Sequence, residues 1–343
     1  MPDPRTLLNM RKILATAPMM AWTDKHCRFL HRQYAPSALL FTEMVTTGAL
    51  LYGKQHHLLD FNTCEHPIAV QIGGNDPVAM AECAAMAESW GYDEININVG
   101  CPSDRVQKGT FGACLMQQPT LVADCVRAMQ AACTLPVTVK CRTGIVLKGE
   151  TKAFSDDAFL NRFVDSIVEA GCSRLYLHAR VAVLSGLTPA QNRDIPPLTP
   201  EKGEAIKHRH PDMELVINGG ITEAGAALKY LQWADGVMIG RAAYHQPRLL
   251  SALETQLFDE HFAVDEIAVI RRYQDYMATQ LDAGVNLNVL TKHLLHSFNS
   301  RPGARRFRQI LSDAKRLKAN DLSLLDEALD ALNLNSGGLQ RAE

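Results

Sequence analysis

The 343-residue chain lacks the short signatures of several common functional sites. Its nine cysteines include no Cys-x-x-Cys pair, so neither a structural zinc site nor a redox pair has local support, and we expect no bound metal. A glycine-rich Rossmann turn is also missing, which argues against an open dinucleotide-binding sheet. Residues 48–54 have the glycine spacing of a P-loop, but Gln55 stands where a Ser or Thr would bind magnesium, so nucleotide binding there is disfavoured.

Long apolar runs and an excess of positive charge are absent as well. No run approaches the length of a membrane span, and residues 1–12 contain no apolar signal segment. Together with cysteines that show no pairing pattern, this predicts a cytoplasmic protein. The formal net charge of -2 argues against indiscriminate nucleic-acid binding and for a local basic patch at most. Nothing in the sequence indicates an oligomeric state.

Short apolar segments alternate with helix-like runs along most of the chain. Strands that alternate with helices pair in parallel through right-handed crossovers. Such units, eight of them in about 250 residues, predict an α/β fold of the closed (β/α)8 TIM-barrel type. The predicted strands are 13–19, 39–45, 68–74, 94–103, 137–142, 174–179, 214–220 and 236–241, and helix-like runs include 77–90, 119–132, 155–170 and 223–232.

The strand pattern stops after residue 248, and the remainder reads as helices. We therefore predict a barrel domain over 1–248 and a smaller C-terminal helical domain over 249–343. Between Arg301 and Lys318 the helical part has seven basic residues and only Asp313 of the opposite sign. A solvated helix face is the usual explanation for such a charge run.

Polar side chains recur at the ends of the predicted strands. In a TIM barrel the chemistry lies at the carboxyl ends of the strands, so a ring of polar residues there indicates an active site. Cys101 alone is weak evidence because free cysteine is usually a small core residue, and His178 alone could be a buried, hydrogen-bonded histidine. The ring comprises Pro18 and Met19, Glu43, Gln71, Asn98 with Cys101, Lys140 with Arg142, His178, Asn218 to Gly220, and Gly240 with Arg241.

Two glycine sites follow the seventh and eighth predicted strands. Barrels commonly hold a phosphate at this position with backbone N–H groups and a helix N-terminus. Gly219, Gly220 and Gly240 would let the backbone approach an anion closely, and Arg241 could add a bidentate contact. These residues predict an anchored phosphate that belongs to a cofactor.

The motifs taken together resemble the tRNA-dihydrouridine synthases, from about Leu14 to Leu311. The resemblance is closest to the bacterial A-type branch, the dihydrouridine(20/20a) synthases, although Val181 stands where that branch commonly has Lys. The motifs that carry it are Ala17-Pro-Met19, Trp22-Thr-Asp24, Thr42-Glu-Met-Val-Thr-Thr47, Gln71-Ile-Gly-Gly74, Asp93-Glu-Ile-Asn96, Asn96-Ile-Asn-Val-Gly-Cys-Pro-Ser103, Cys101-Pro-Ser-Asp-Arg-Val-Gln107, Gly112-Ala-Cys-Leu-Met116, Val137-Thr-Val-Lys140, His178-Ala-Arg180, Leu184-Ser-Gly186 and Asn218-Gly-Gly220.

The resemblance implies an FMN-dependent barrel followed by a helical domain that binds tRNA. Cys101 is then the catalytic proton donor, Asn98, Arg142 and Arg180 contact the target nucleotide or its neighbours, and Arg305 and Arg308 contact tRNA phosphates. The implied cofactor-binding set is Ala17, Pro18, Met19, Gln71, Lys140, His178, Asn218, Gly219, Gly220, Gly240 and Arg241.

The implied reaction is the reduction of uridine at positions 20 and 20a of the tRNA D loop, with NADPH reducing the flavin first. Saturation of the C5–C6 bond needs a hydride at C6 and a proton at C5, and a protonated thiol can supply the second. Two alternatives remain at this stage. One is a flavin barrel acting on a free small molecule, like dihydroorotate dehydrogenase, which would not need the basic helical end. The other is a flavin- and RNA-binding module without turnover, which would not need Cys101.

Overall fold

The structure is a computed structural model that describes residues 12–103, 106–107, 109–147, 154–299 and 301–332. Three sequence features fall partly outside these residues. They are the polar N-terminal stretch up to residue 11, Asp104 and Arg105 of the motif after Cys101, and the outer ends of the two predicted domains.

Eight parallel strands form one sheet, in which each strand pairs with its neighbours along the chain. The first and last strands are hydrogen-bonded to each other, and Leu39 links the first strand to the second: its N–H donates to the Leu14 carbonyl at 2.8 Å and its carbonyl accepts from the Thr16 N–H at 3.0 Å. The sheet therefore closes, which confirms the predicted (β/α)8 barrel. The strands are β1 Ile13–Thr16, β2 Leu40–Thr46, β3 Ile68–Gly73, β4 Glu94–Val99, β5 Val137–Arg142, β6 Arg174–His178, β7 Glu214–Asn218 and β8 Gly236–Ile239.

Helices surround the barrel, and the last five α-helices, from Glu266 to Asp330, form what we call the helical end. A short parallel pair, Ile145–Val146 with Ala182–Val183, lies outside the main sheet. The α-helices are α1 Lys25–Tyr34, α2 Thr47–Leu51, α3 Pro77–Trp90, α4 Pro119–Ala132, α5 Asp157–Glu169, α6 Pro200–Arg209, α7 Ala224–Tyr230, α8 Arg241–His245, α9 Arg248–Leu257, α10 Glu266–Asp282, α11 Leu287–Thr291, α12 Ala304–Leu311, α13 Ala314–Leu317 and α14 Ser323–Asp330. Short 3₁₀ helices cover His56–Leu59, Thr63–Glu65, Gly112–Gln117, Gln191–Arg193 and Lys292–Leu294.

Local sequence explains where several of these helices begin and end. The carboxylate of Asp76 accepts the Ala79 N–H, Pro77 occupies the first turn of α3, and Gly91 ends that helix at φ +89°. Asp24 caps α1 in the same way, by accepting the N–H groups of His26 and Cys27. Asp24 therefore fixes the loop between β1 and α1, a loop that lines the site described below.

The barrel interior is apolar in part and polar in part. Side chains from several barrel strands, among them Phe41, Tyr176 and Met238, form a small apolar cluster. A much larger apolar cluster lies between the strands and the surrounding helices. Several fully buried polar side chains also belong to the strands, including Glu94 and Thr138.

The helical end packs against α1, the first helix of the barrel. The Phe29 and Tyr276 rings stack at 4.0 Å between centroids, and Nδ1 of His26 lies 2.7 Å from the Tyr276 hydroxyl. Lys292 Nζ lies 2.8 Å from the Asp24 carboxylate. None of the described helices combines the length and the hydropathy that a membrane span requires.

Candidate active site

A cavity of about 1040 Å³ opens at the carboxyl ends of the barrel strands. All eleven residues of the predicted cofactor set line it, as do Cys101, Asn98 and Arg142. Arg180, Arg305 and Arg308 are not among its lining residues. The fold thus brings residues from the carboxyl ends of all eight barrel strands into one cavity. The three arginines do not line it.

The predicted phosphate site lies beyond β7 and β8. No described residue accepts a hydrogen bond from the backbone N–H groups of Gly219, Gly220, Gly240 or Arg241, so these donors remain for an anion. At Gly240 an added Cβ would meet no atom closer than 4.0 Å. These features, with the Arg241 guanidinium beside them, fit a phosphate group.

Two of these glycines have a structural reason that the sequence-based expectation did not include. Gly219 and Gly220 have φ angles of +118° and +67°, which L side chains rarely adopt. A Cβ at Gly219 would lie 2.8 Å from His178 Cδ2, and one at Gly220 would lie 2.5 Å from Leu198 Cδ1. Backbone conformation and packing against the protein itself are therefore sufficient to require glycine there.

Lys140 and His178 give the middle of the cavity its electrostatic character. Lys140 Nζ donates to Asn218 Oδ1 at 3.3 Å, and the Asn218 amide donates in turn to the Met238 carbonyl at 2.7 Å. Burial, reinforced by the charge of Arg142, lowers the pKa of Lys140 to about 8. Burial and the same cations lower the pKa of His178 well below its usual value, so its ring is neutral at pH 7.

Cys101 lies on a short loop whose backbone is hydrogen-bonded by the side chains of Asn98 and Arg142. Asn98 Oδ1 accepts hydrogen bonds from the backbone N–H groups of Gly100 and Cys101, each at 3.0 Å. The buried Arg142 donates to the Gly100 carbonyl at 3.2 Å and to the Asn192 carbonyl at 3.0 Å. The Cys101 thiol is partly exposed, is not in a disulfide and lies 3.5 Å from the Ser103 hydroxyl. The loop therefore presents one free thiol to the cavity.

Sequence reasoning missed some residues that line the cavity. Arg193 lines it near the phosphate end, and its buried Nε has no partner among the described residues. The cavity walls also include Trp22, Asp24 and Val289, of which the last belongs to α11 in the helical end. Of these four residues, only Trp22 and Asp24 belong to a motif of the resemblance, and neither Arg193 nor Val289 lies at a strand end.

The comparison with known families agrees with this geometry. The family described as dihydrouridine synthase (Dus) matches residues 15–333 of the chain. The chain belongs to the dihydrouridine synthase family. This confirms the resemblance inferred from the motifs, and the match extends through the barrel into the helical end.

Curated relatives and one solved structure support the assignment at two levels. The chain is 47% identical over 323 residues to the tRNA-dihydrouridine(20/20a) synthase of Xanthomonas axonopodis pv. citri, covering 94% of this chain and 95% of that one. It is 47% identical to the enzyme of the same name from Pseudomonas aeruginosa, covering 93% and 94%. The solved structure of morphinone reductase is similar in fold alone, with a TM-score of 0.50 at 13% identity, covering 71% of this chain and 86% of that one.

The basic helix of this dihydrouridine synthase connects to the cavity through a chain of contacts. Arg308 donates to Asn299 Oδ1 at 2.9 Å, and the Asn299 amide donates to the His245 carbonyl at 3.0 Å. The His245 ring lies edge-on to Trp22, with centroids 5.0 Å apart, and Trp22 lines the cavity. Arg305 is exposed on the same helix, α12. Arg180 instead donates to the Asp194 carbonyl at 3.3 Å, outside the cavity.

Proposed function

We propose that this protein uses FMN and NADPH to reduce the C5–C6 bond of uridine at positions 20 and 20a of tRNA. The observation that carries the proposal is one cavity lined by Gly219, Gly220, Gly240 and Arg241, by buried polar side chains and by the Cys101 thiol, in a member of the dihydrouridine synthase family. Family membership favours this function over an enzyme of free small molecules and over a module without turnover. A tRNA substrate also supports a cytoplasmic location.

The residues present fit an FMN molecule, and each region of the cavity would hold a different part of it. Gly219, Gly220, Gly240 and Arg241 would bind its phosphate, while Gln71 and Lys140 would hydrogen-bond the polar edge of its ring. Ala17, Pro18 and Met19 would support the ring from β1, with His178 and Asn218 beside it. Bound FMN, reduced by NADPH, supplies the hydride for C6 of the uracil.

The proton for C5 would come from Cys101. His178 is held neutral by burial and by neighbouring cations, so it is a poor proton source at pH 7. The side chain of Arg142 is occupied by backbone carbonyls of the surrounding loops. Cys101 is the partly exposed acid on a loop fixed by Asn98, and it is therefore the best candidate for general acid catalysis. Asn98, Arg142 and Arg180 would also contact the target nucleotide or its neighbours.

The helical end would supply the tRNA-binding surface. We propose that residues 1–248 carry the flavin chemistry and residues 249–343 the main tRNA contacts. Arg305 and Arg308 on α12 are the best candidates for phosphate contacts, because Arg308 is linked through Asn299 and His245 to the cavity wall.

The experiment that tests the proposal is nucleoside analysis of tRNA from cells in which the gene is deleted. Dihydrouridine at positions 20 and 20a should disappear and should return with the wild-type gene but not with Cys101→Ala. Purified wild-type protein should be yellow and should release FMN on denaturation. Unchanged dihydrouridine at both positions in the deletion strain would refute the assigned substrate.

A further inference from the structure

A continuous line of buried polar side chains runs through the barrel from the Cys101 loop to the amino-terminal end of β4. Every side chain in it is less than a tenth exposed. The line ends at Glu94, the first residue of β4. Its links are Asn98 Nδ2 to Gln71 Oε1 at 2.8 Å, Gln71 Nε2 to Asn96 Oδ1 at 2.8 Å, Asn96 Nδ2 to Thr138 Oγ1 at 2.8 Å, and the Thr138 hydroxyl to Glu94 Oε1 at 2.7 Å.

The two ends of this line determine the direction of every hydrogen bond in it. At the upper end the backbone N–H groups of Gly100 and Cys101 can only donate, so Asn98 must turn its oxygen toward them. At the lower end an ionised Glu94 carboxylate can only accept, so the Thr138 hydroxyl must donate to it. Asn96 and Gln71 are left with one amide orientation each, because a flip of either would place two donors or two acceptors face to face.

Burial raises the pKa of Glu94, and the Arg174 cation outside the line opposes that shift and favours the ionised, acceptor-only form. Arg174 Nη1 lies 2.5 Å from Glu94 Oε2, and Arg174 also pairs with Glu214 at 2.7 Å. The Tyr176 hydroxyl lies 2.9 Å from the other oxygen of Glu94. The Glu94 carboxylate, with hydrogen-bond partners on both oxygens, therefore fixes the lower end of the line and the direction in which the Thr138 hydroxyl donates.

We propose that Asn96 and Thr138 are positioning residues that fix the amide orientation of Gln71 and, through Asn98, the loop that carries Cys101. The inference rests on the proposed function, in which Gln71 contacts the flavin and Cys101 is the acid, because it states that the same two residues position both. Neither Asn96 nor Thr138 lines the cavity, so they act only through the side chains they hold. One line of hydrogen bonds thereby couples the flavin contact to the acid.

The test is Thr138→Val, which keeps the shape of the side chain and the β-branch that suits a strand but removes the hydroxyl. FMN should bind the apoprotein about tenfold more weakly, which corresponds to the loss of one oriented hydrogen bond. In the apoprotein, alkylation of Cys101 followed by peptide mass spectrometry should become faster, since the loop is then less firmly supported. Thr138→Ser should restore both values, because its hydroxyl again accepts from Asn96 and donates to Glu94.

Thr16→Val is the matched control. Thr16 is also a fully buried threonine of a barrel strand, and its Oγ1 accepts a hydrogen bond from the Phe41 N–H at 3.3 Å, away from the line. Its FMN affinity and Cys101 alkylation rate should equal those of wild type. If Thr138→Val binds FMN like wild type, or if Thr138→Ser and Thr16→Val are impaired to the same degree, the positioning role is overturned.

A second variant covers the case in which Thr138→Val does not fold. Glu94→Gln replaces the acceptor-only end by an amide that can also donate, so the line is then fixed only at the Asn98 end, and FMN affinity should fall in the same way. Wild-type affinity in Glu94→Gln overturns the inference. Failure of the proposed function is seen separately, because wild-type protein would then contain no FMN or produce no dihydrouridine.

Discussion

Asp194 and Arg241 form a bidentate ion pair at the rim of the cavity, with Asp194 oxygens 2.5 Å and 3.1 Å from the guanidinium nitrogens. The cation proposed to hold the FMN phosphate therefore already has an anionic partner. Both side chains are substantially exposed, so the pair itself adds little to stability. The pair fixes the orientation of the Arg241 guanidinium, because Asp194 holds two of its nitrogens. The N–H groups that do not face Asp194 remain free to donate to a phosphate.

Replacement of Arg241 by Met should weaken FMN binding to the apoprotein by roughly 1 to 3 kcal/mol, the range for a charge-assisted hydrogen bond. Titration with FMN and with riboflavin, followed by flavin fluorescence, measures the effect. Riboflavin lacks the phosphate and should bind both proteins equally. Arg209→Met is the control, since Arg209 is exposed and pairs with Asp165 on the barrel exterior. An equal loss for both ligands would show that Arg241 does not act on the phosphate.

FMN affinity should fall as the pH rises through about 8, the lowered pKa of Lys140. The sign follows from the contact, because a protonated Lys140 donates a charge-assisted hydrogen bond to the flavin and a neutral one does so only weakly. Bound FMN should in turn raise the pKa of Lys140. Fluorescence titrations over roughly one pH unit on either side of this value should show the inflection in wild type.

The matched variant for this pH dependence is Lys140→Met, which has no group to titrate. Its FMN affinity should be lower than that of wild type at pH 7 and nearly flat across the same range. An inflection that persists unchanged in Lys140→Met would assign the titration to another group.

Cys101→Ala should leave FMN content and reduction of the flavin by NADPH nearly intact, because the thiol is proposed to serve the uracil and not the cofactor. Reaction of the reduced enzyme with unmodified tRNA should slow by about 10²- to 10⁴-fold, the usual effect of losing a positioned general acid. The measurement is anaerobic reduction, addition of tRNA and observation of flavin reoxidation. Equal reoxidation rates, with dihydrouridine formed by both proteins, would make Cys101 a structural thiol.

The double variant Arg305→Ala with Arg308→Ala should bind tRNA more weakly and with a shallower salt dependence, by about one counterion for each phosphate that the protein no longer neutralises. Binding curves at several salt concentrations give the slope. Arg271→Ala is a suitable control, because Arg271 lies on another helix of the helical end and is paired with Asp326. If the control and the double variant have the same slope, the tRNA surface lies elsewhere.

The architecture could be predicted from the sequence because a closed parallel barrel imposes a regular pattern. Strand β5 and helices α3 and α4 coincide with their predicted segments, and polar residues at strand ends meet in one cavity as the fold class requires. The hydrophobic pattern of the sequence shows where each strand ends, and the barrel topology places all of these ends on the same face.

Side-chain partners could not be predicted, because they depend on long-range contacts with no local signal. The position of Arg142 at a strand end does not reveal that it holds the Gly100 carbonyl, and an alternating strand does not show that Asn96 donates to Thr138. Arg193 ends a short 3₁₀ helix between β6 and α6 and is not at a strand end, so its presence in the cavity wall depends on the path of that connection. Each of these contacts joins residues that are far apart in the sequence, so no local pattern predicts it.

The packing of the helical end on α1 has a consequence for synthesis of the protein. The hydrogen-bonded pair His26 and Tyr276 is separated by 250 positions, so α1 leaves the ribosome long before its partner does. At about 5 to 20 residues per second this delay is on the order of tens of seconds. During that time the Phe29 ring on α1 lacks its stacking partner Tyr276, so the nascent barrel leaves this aromatic side chain less covered than it is in the folded protein.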